Sequence, residues 1–346
     1  MKKEYRTYLL GSLVFIALVT ITFRLVFQGF RGAGTLVIPE ILTLQNLLII
    51  AGVLIAFYLL DGLRLYFVFR TLGQDVRFLL MLKLVFINIF ASGVTPLATG
   101  GGFAQIYYLT KYKVPLGVAT AATTIRTVIT SVMIFASVPL ILVHEKGIQQ
   151  VVPVKHGFLL SLLLILFYIS IILLLVRKKE NLKKFISSCI RLLNKVHIIS
   201  DKKTGKLINS AETELELFNT ALKSFRKGPV LYKSLSLFCA VAYLVLLFIF
   251  PYILIKPLNE KVSLITVISI QILITFLIYF TPTPGGSGVA EGSFALIFSN
   301  FLDSSYIAPL TFYWRFLTTY LGMVIGLFIF YREILRRNNT GSTNGT

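Results

Sequence analysis

TPTPGGSGVAE, residues 281–291, decides how the rest of the chain folds. Apolar runs flank it on both sides. A continuous helix does not run through it, because proline removes a backbone donor and glycine costs helix propensity. Broken backbone at membrane depth survives only where protein buries it or where it lines a wet cavity. The stretch therefore reads either as a functional site or as a surface loop, and a second copy favours the first.

A second copy lies upstream. Moving the chain by 186 positions places TPLATGGGFAQ, residues 95–105, on it without a gap. Thr95 meets Thr281, Pro96 meets Pro282, Gly100 meets Gly286, Gly102 meets Gly288, Ala104 meets Ala290, and Gln105 meets Glu291. Each copy is followed by an arginine in an apolar run, Arg126 in TTIRTVIT and Arg315 in FYWRFLTTY, 21 and 24 residues past its end. An internal repeat is expected, over about 78–143 and about 262–331.

Composition points the same way. The chain of 346 residues is 56% hydrophobic and only 14% charged, whereas soluble domains carry about 25% charge. A polytopic, all-α membrane protein in the cell membrane is expected. The formal charge of +20 would point to nucleic acid in a soluble chain, but here lysine and arginine collect in loops that face anionic lipid. No nucleic-acid partner is read. Cys189 and Cys239 have no paired spacing, and His144, His156 and His197 have no ligand partner nearby in sequence, so neither metal nor cofactor is expected.

Six full spans are expected, over about 8–27, 44–69, 115–143, 158–176, 231–255 and 307–331. The first reads as a retained span, being too long for a signal peptide and lacking a cleavage site. Runs 78–91 and 103–109, and 262–280 and 289–301, are mostly short of the ~20 residues a spanning helix needs. They read as two re-entrant hairpins. The polar stretch 177–228 holds thirteen basic and five acidic residues. Within it Leu215, Phe218, Leu222 and Phe225 recur at helical spacing, and Ser210 with Glu212 and Glu214 reads as a helix start. An interfacial amphipathic helix is expected there, within a single transmembrane domain of residues 1–337, and 338–346 reads as a disordered tail.

With both termini in the cytoplasm, the inner segments hold 23 lysines and arginines and the outer segments five. That asymmetry supports the assignment. The first hairpin then enters from the cytoplasm and the second from outside, so the repeat is inverted, as in many transporters.

A half-helix that starts near mid-membrane points bare N–H groups and a positive dipole end at its break. The candidate binding residues are Thr95, Pro96, Gly100, Gly101, Gly102, Gln105 and Arg126 in the first repeat. In the second they are Thr283, Pro284, Gly285, Gly286, Gly288, Glu291 and Arg315. Two intramembrane arginines at related positions favour an anion, most simply a phosphate. Glu291 either neutralises Arg315, binds a cationic headgroup or titrates. Asp61 and Arg64, three apart on one helix face, are positioned to pair; with Tyr313 they are accessory candidates. Lys83 reads as snorkelling to the cytoplasm.

TPTPGGSGVAEG followed by the apolar run with Tyr313-Trp314-Arg315 resembles the signature of the lysylphosphatidylglycerol synthase/flippase transmembrane family, over about residues 8–332. The resemblance implies a flippase-like role for the membrane part. It does not imply aminoacylation, since the soluble aminoacyl transferase domain of the best-known members is not expected here.

Three functions stay open at this point. The first is a transporter moving a phospholipid or lipid-linked anion between leaflets, its partners being membrane lipids, anionic phospholipid above all. The second is an enzyme, or enzyme subunit, acting on a lipid-linked phosphate through Asp61 and Glu291. The third is a transporter of a soluble anion. No GxxxxGK[ST] motif is present, so any drive comes from a lipid gradient, an ion gradient or the membrane potential.

Overall fold

The protein is described by a computed structural model over residues 38–144, 154–177, 201–258 and 262–341, with isolated positions in 13–24 and 183–194. The expected first span falls mostly outside these residues, as do Cys189 and the end of the tail, 342–346. Among the described residues the secondary structure is helical throughout. The helices are α1 Leu44–Thr71, α2 Phe78–Gly93, α3 Gly100–Lys111, α4 Leu116–His144, α5 Val154–Arg177 and α6 Asp201–Lys227. They continue as α7 Val230–Ile255, α8 Leu264–Tyr279, α9 Val289–Phe298, α10 Ser304–Arg315 and α11 Leu321–Gly341. A five-residue π turn, Phe316–Tyr320, carries α10 into α11.

Four helical stretches are long and apolar enough to cross a bilayer: Leu44–Thr71, Leu116–His144, Val230–Leu258 and Ser304–Glu333. α5, 24 residues long, lies over the fourth expected span. Local chemistry sets several starts. The Thr43 hydroxyl accepts from the Asn46 N–H to cap α1, and the Ser263 hydroxyl from the Thr266 N–H to cap α8. Asp303 caps α10; its carboxyl is held below the usual range by the backbone N–H and hydroxyl of Ser305.

Both interrupted stretches form hairpins. α2 turns through Pro96–Ala98 into α3, and α8 turns through Pro284–Gly286 into α9. The two tips abut: every Cα of Pro96–Ala98 lies within 8 Å of every Cα of Pro284–Gly286.

The turns are equivalent, but in a register two residues away from the ungapped match. Thr95 and Thr283 are both extended, and each is followed by a proline at the first helical position. Leu97 and Ala98 then have φ of 54° and 52°, and Gly285 and Gly286 have 60° and 68°. The Ala98 N–H donates to the Thr95 carbonyl, and the Gly286 N–H to that of Thr283. The second Thr-Pro of TPTP, not the first, is thus the partner of Thr95-Pro96. Left-handed backbone suits glycine, whereas Leu97 and Ala98 adopt it at a steric cost.

α1 packs along α7, and α11 along α2. One large apolar core joins the N-terminal half of α1 and the C-terminal half of α4 to α7–α10. A second joins the C-terminal half of α1 and the N-terminal half of α4 to α2, α3 and α6. The polar residues of α1 and α4 lie where these two cores meet.

One expectation is corrected here and two are extended. α6 begins at Asp201, so Ser210 lies inside it and does not start a helix. α6 also docks on the protein: Ala221 is buried, Phe218, Leu222 and Phe225 pack on the second core, and Glu214 Oε2 accepts from the Gly117 N–H at 2.6 Å. That carboxylate sits at the N-terminal end of α4, where the helix dipole favours it. Lys83 does not simply snorkel. Its ammonium pairs with Glu333 at 2.8 Å, and the Tyr112 hydroxyl donates to the other oxygen of the same carboxylate at 3.1 Å.

Candidate functional site

Each hairpin tip leads to a buried arginine. In the second repeat, Glu291 is the third residue of α9 and is fully buried. Its Oε2 accepts from the Gly288 N–H at 2.7 Å, closing the start of the helix. Gly288 takes φ of 91° there, a conformation open to glycine. Oε1 accepts from Arg315 Nε at 2.7 Å and from the Tyr320 hydroxyl at 2.9 Å. Arg315 spends its remaining donors at home, Nη1 on the Thr319 hydroxyl at 3.1 Å and Nη2 on the Gly285 carbonyl at 2.9 Å. One arginine, one carboxylate and the hairpin turn are thereby tied together, and their charges cancel.

Tyr320 was not legible from spacing. Five residues separate it from Arg315, which on an α-helix points it to another face. The π turn over Phe316–Tyr320 widens the helix and brings its hydroxyl back to Glu291. Tyr313, the aromatic expected to help, lies beside Phe312 and packs against the large core instead.

The first repeat is built differently. Gln105, which like Glu291 meets its own hairpin's arginine, donates through Nε2 to the Leu84 carbonyl at 3.1 Å and accepts from Arg126 Nη1 at 3.0 Å. Arg126 Nη2 pairs with Asp61 Oδ1, and Arg64 Nε pairs with the same oxygen. The Arg64 guanidinium lies 4.0 Å from the centre of the Tyr243 ring on α7. Helix geometry explains the meeting. Asp61 lies ten residues before the end of α1 and Arg126 ten after the start of α4, so both sit ~15 Å from that end of the bundle.

The hairpin starts are less bare than expected. The Gly100 N–H is taken by the Thr95 hydroxyl at 2.8 Å, as the Gly288 N–H is by Glu291. The first tip remains open nonetheless, since Pro96, Leu97, Ala98 and Thr99 are exposed and nothing lies where a side chain on Gly102 would project. Gly101 is packed against Ser92 and Asn88. In the second tip Thr283 donates to the Ser287 carbonyl, and Pro284 and Gly286 are buried. A cleft of about 650 Å³ opens at the far end of α1 and α7, lined by Glu40, Thr43, Asn46, Tyr252 and Lys256, and touches neither arginine. Among the described residues no histidine, cysteine or carboxylate cluster could hold a metal ion.

Known proteins resemble this chain over most of its length. The family model described as lysylphosphatidylglycerol synthase TM region matches residues 8–326. A UPF0104 membrane protein of Archaeoglobus fulgidus is 24% identical over 331 residues, covering 92% of this chain and 94% of its own. A second UPF0104 membrane protein, from Methanocaldococcus jannaschii, is 24% identical over 329 residues, covering 92% and 95%. No solved structure matches.

Proposed function

The chain belongs to the lysylphosphatidylglycerol synthase transmembrane-region family, a multi-pass membrane protein, and from that premise we propose that it carries a phospholipid or lipid-linked anion between leaflets. One observation carries the reading: two helix breaks meet tip to tip, and each hairpin is bonded to a buried arginine on a long helix, the first through Gln105 of α3 and the second through the Gly285 carbonyl of its turn. Breaks and charges are both costly in hydrocarbon, and their convergence is the arrangement found where transporters bind substrate.

In this reading the two hairpins are re-entrant and inversely oriented among six spans, with both termini in the cytoplasm. The phosphate passes between the tips while the acyl chains stay in the bilayer. The exposed first tip, Pro96–Thr99, is the natural entry. An enzymatic role is disfavoured by the same geometry. Asp61 and Glu291, the carboxylates that would serve as acid or base, are each held by guanidinium groups and are not poised to exchange protons.

The test is exchange of labelled lipid in vesicles reconstituted with the full chain. A head-labelled phosphatidylglycerol in the inner leaflet should become accessible to an impermeant quencher faster than in protein-free vesicles. A labelled diacylglycerol ether without phosphate should gain nothing from the protein. Equal rates with and without protein would remove the carrier reading.

A further inference from the structure

The two buried arginine clusters are not electrically alike. Arg315 and Glu291 form a one-to-one pair, and every nitrogen of the Arg315 guanidinium has an acceptor. At the other cluster, Arg64 and Arg126 share one oxygen of one carboxylate, Asp61. Among the described residues, two positive groups and one negative group leave one positive charge uncompensated. Neither arginine is more than 6% exposed. Arg64 Nη1 and Arg126 Nε are buried and donate to no acceptor among the described residues. A buried charge without a partner is expensive, and a buried donor without an acceptor adds to that cost. Gln105 cannot supply the charge: it offers Arg126 a neutral carbonyl oxygen where Glu291 offers Arg315 a carboxylate.

We propose that Asp61, Arg64 and Arg126 form the anion site of this protein, that it takes a singly charged phosphodiester group, and that the Arg315–Glu291 pair is structural. This rests on the carrier reading and places its substrate between α1 and α4, away from the Arg315–Glu291 pair. A phosphodiester brings one negative charge, which neutralises the trio, and its free oxygens accept from the two unpartnered guanidinium N–H groups. Gln105 ties the site to α3, which follows directly on the exposed turn Pro96–Thr99. Tyr243 closes the far side over Arg64.

The test measures binding apart from transport. The purified full chain in detergent is titrated with dihexanoyl phosphatidylglycerol, with dihexanoylglycerol, which lacks the phosphate, and with inorganic phosphate. Wild-type protein should bind the phosphodiester lipid and not the uncharged one. Arg64→Gln and Arg126→Gln each leave the trio neutral and should weaken binding by about tenfold or more, while Arg64→Lys should retain most of it. Asp61→Asn raises the trio to two positive charges and should keep or tighten binding, whereas a purely structural Asp61 would make this variant as damaging as the arginine ones. Binding of inorganic phosphate at the same residues would identify a soluble anion as an alternative source; binding of the lipid alone would identify a headgroup. Equal response of wild-type protein to the two lipids overturns the site even if the glutamine variants do not fold, and so does loss of binding in Asp61→Asn. Lipid binding without leaflet exchange would sink the carrier reading and keep the site. Exchange untouched by Arg64→Gln would sink the site and keep the carrier.

Discussion

Glu291→Ala will destabilise the folded protein by about 3–5 kcal/mol, the cost of stranding a buried charge. The carboxylate holds Arg315, the Tyr320 hydroxyl and the Gly288 N–H at once. Removing it leaves a guanidinium on one neutral hydroxyl and one carbonyl. The start of α9 loses its cap in the same step, and the π turn loses the hydroxyl contact that anchors it. Glu291→Gln, which keeps an acceptor but not the charge, should fall between. The double variant Glu291→Leu with Arg315→Leu should recover much of the loss, because no charge is then left alone. Thermal unfolding of detergent-purified protein checks the series. Strictly additive single and double variants would show that the two residues do not act as a pair.

Gly326→Ala should be nearly as disruptive, while Gly93→Ala at the same interface should be mild. α11 lies against α2 so closely that a methyl on Gly326 would overlap the Phe86 carbonyl and the Phe90 Cβ. Backbone on the facing helix cannot step aside without parting the pair, so overpacking of about 1–3 kcal/mol or more is expected. A methyl on Gly93 would meet only the thioether end of Met323, which is flexible and can turn away. Parting α11 from α2 also pulls Glu333 from Lys83 and Tyr112. The same unfolding measurement ranks the two variants, and an equal effect of both would contradict this account of the interface.

The sequence spoke clearly where chemistry is local. Proline and glycine at residues 95–102 and 281–288 announced both breaks, because no helix tolerates them together. The three-residue spacing of Asp61 and Arg64 announced that they could pair, whereas the sequence left Glu291 open between neutralising Arg315, binding a headgroup and titrating. The register of the repeat was misread for a physical reason. TPTP offers two Thr-Pro steps, and the left-handed pair that follows the second is written Gly-Gly in one copy and Leu-Ala in the other. Backbone conformation was shared where residue identity was not. Tyr320 was hidden by the π turn, since spacing rules assume an ordinary helix. Glu214 on Gly117 and Glu333 on Lys83 join residues 97 and 250 positions apart, and no periodicity reports contacts of that reach. Arg64 showed its partner but not its charge balance, which depends on Arg126 arriving from another helix.

The most direct test of the central claim joins the two hairpin tips. Ala98→Cys and Pro284→Cys would be placed together in a chain whose Cys189 and Cys239 have been replaced, with a protease site introduced between residues 148 and 149. In native membranes a thiol-specific crosslinker a few ångströms long should bridge the pair, so that the two halves stay joined after cleavage. If each cysteine reacts singly with a monofunctional reagent yet the halves always separate, the tips do not meet and the carrier reading that rests on their meeting is wrong.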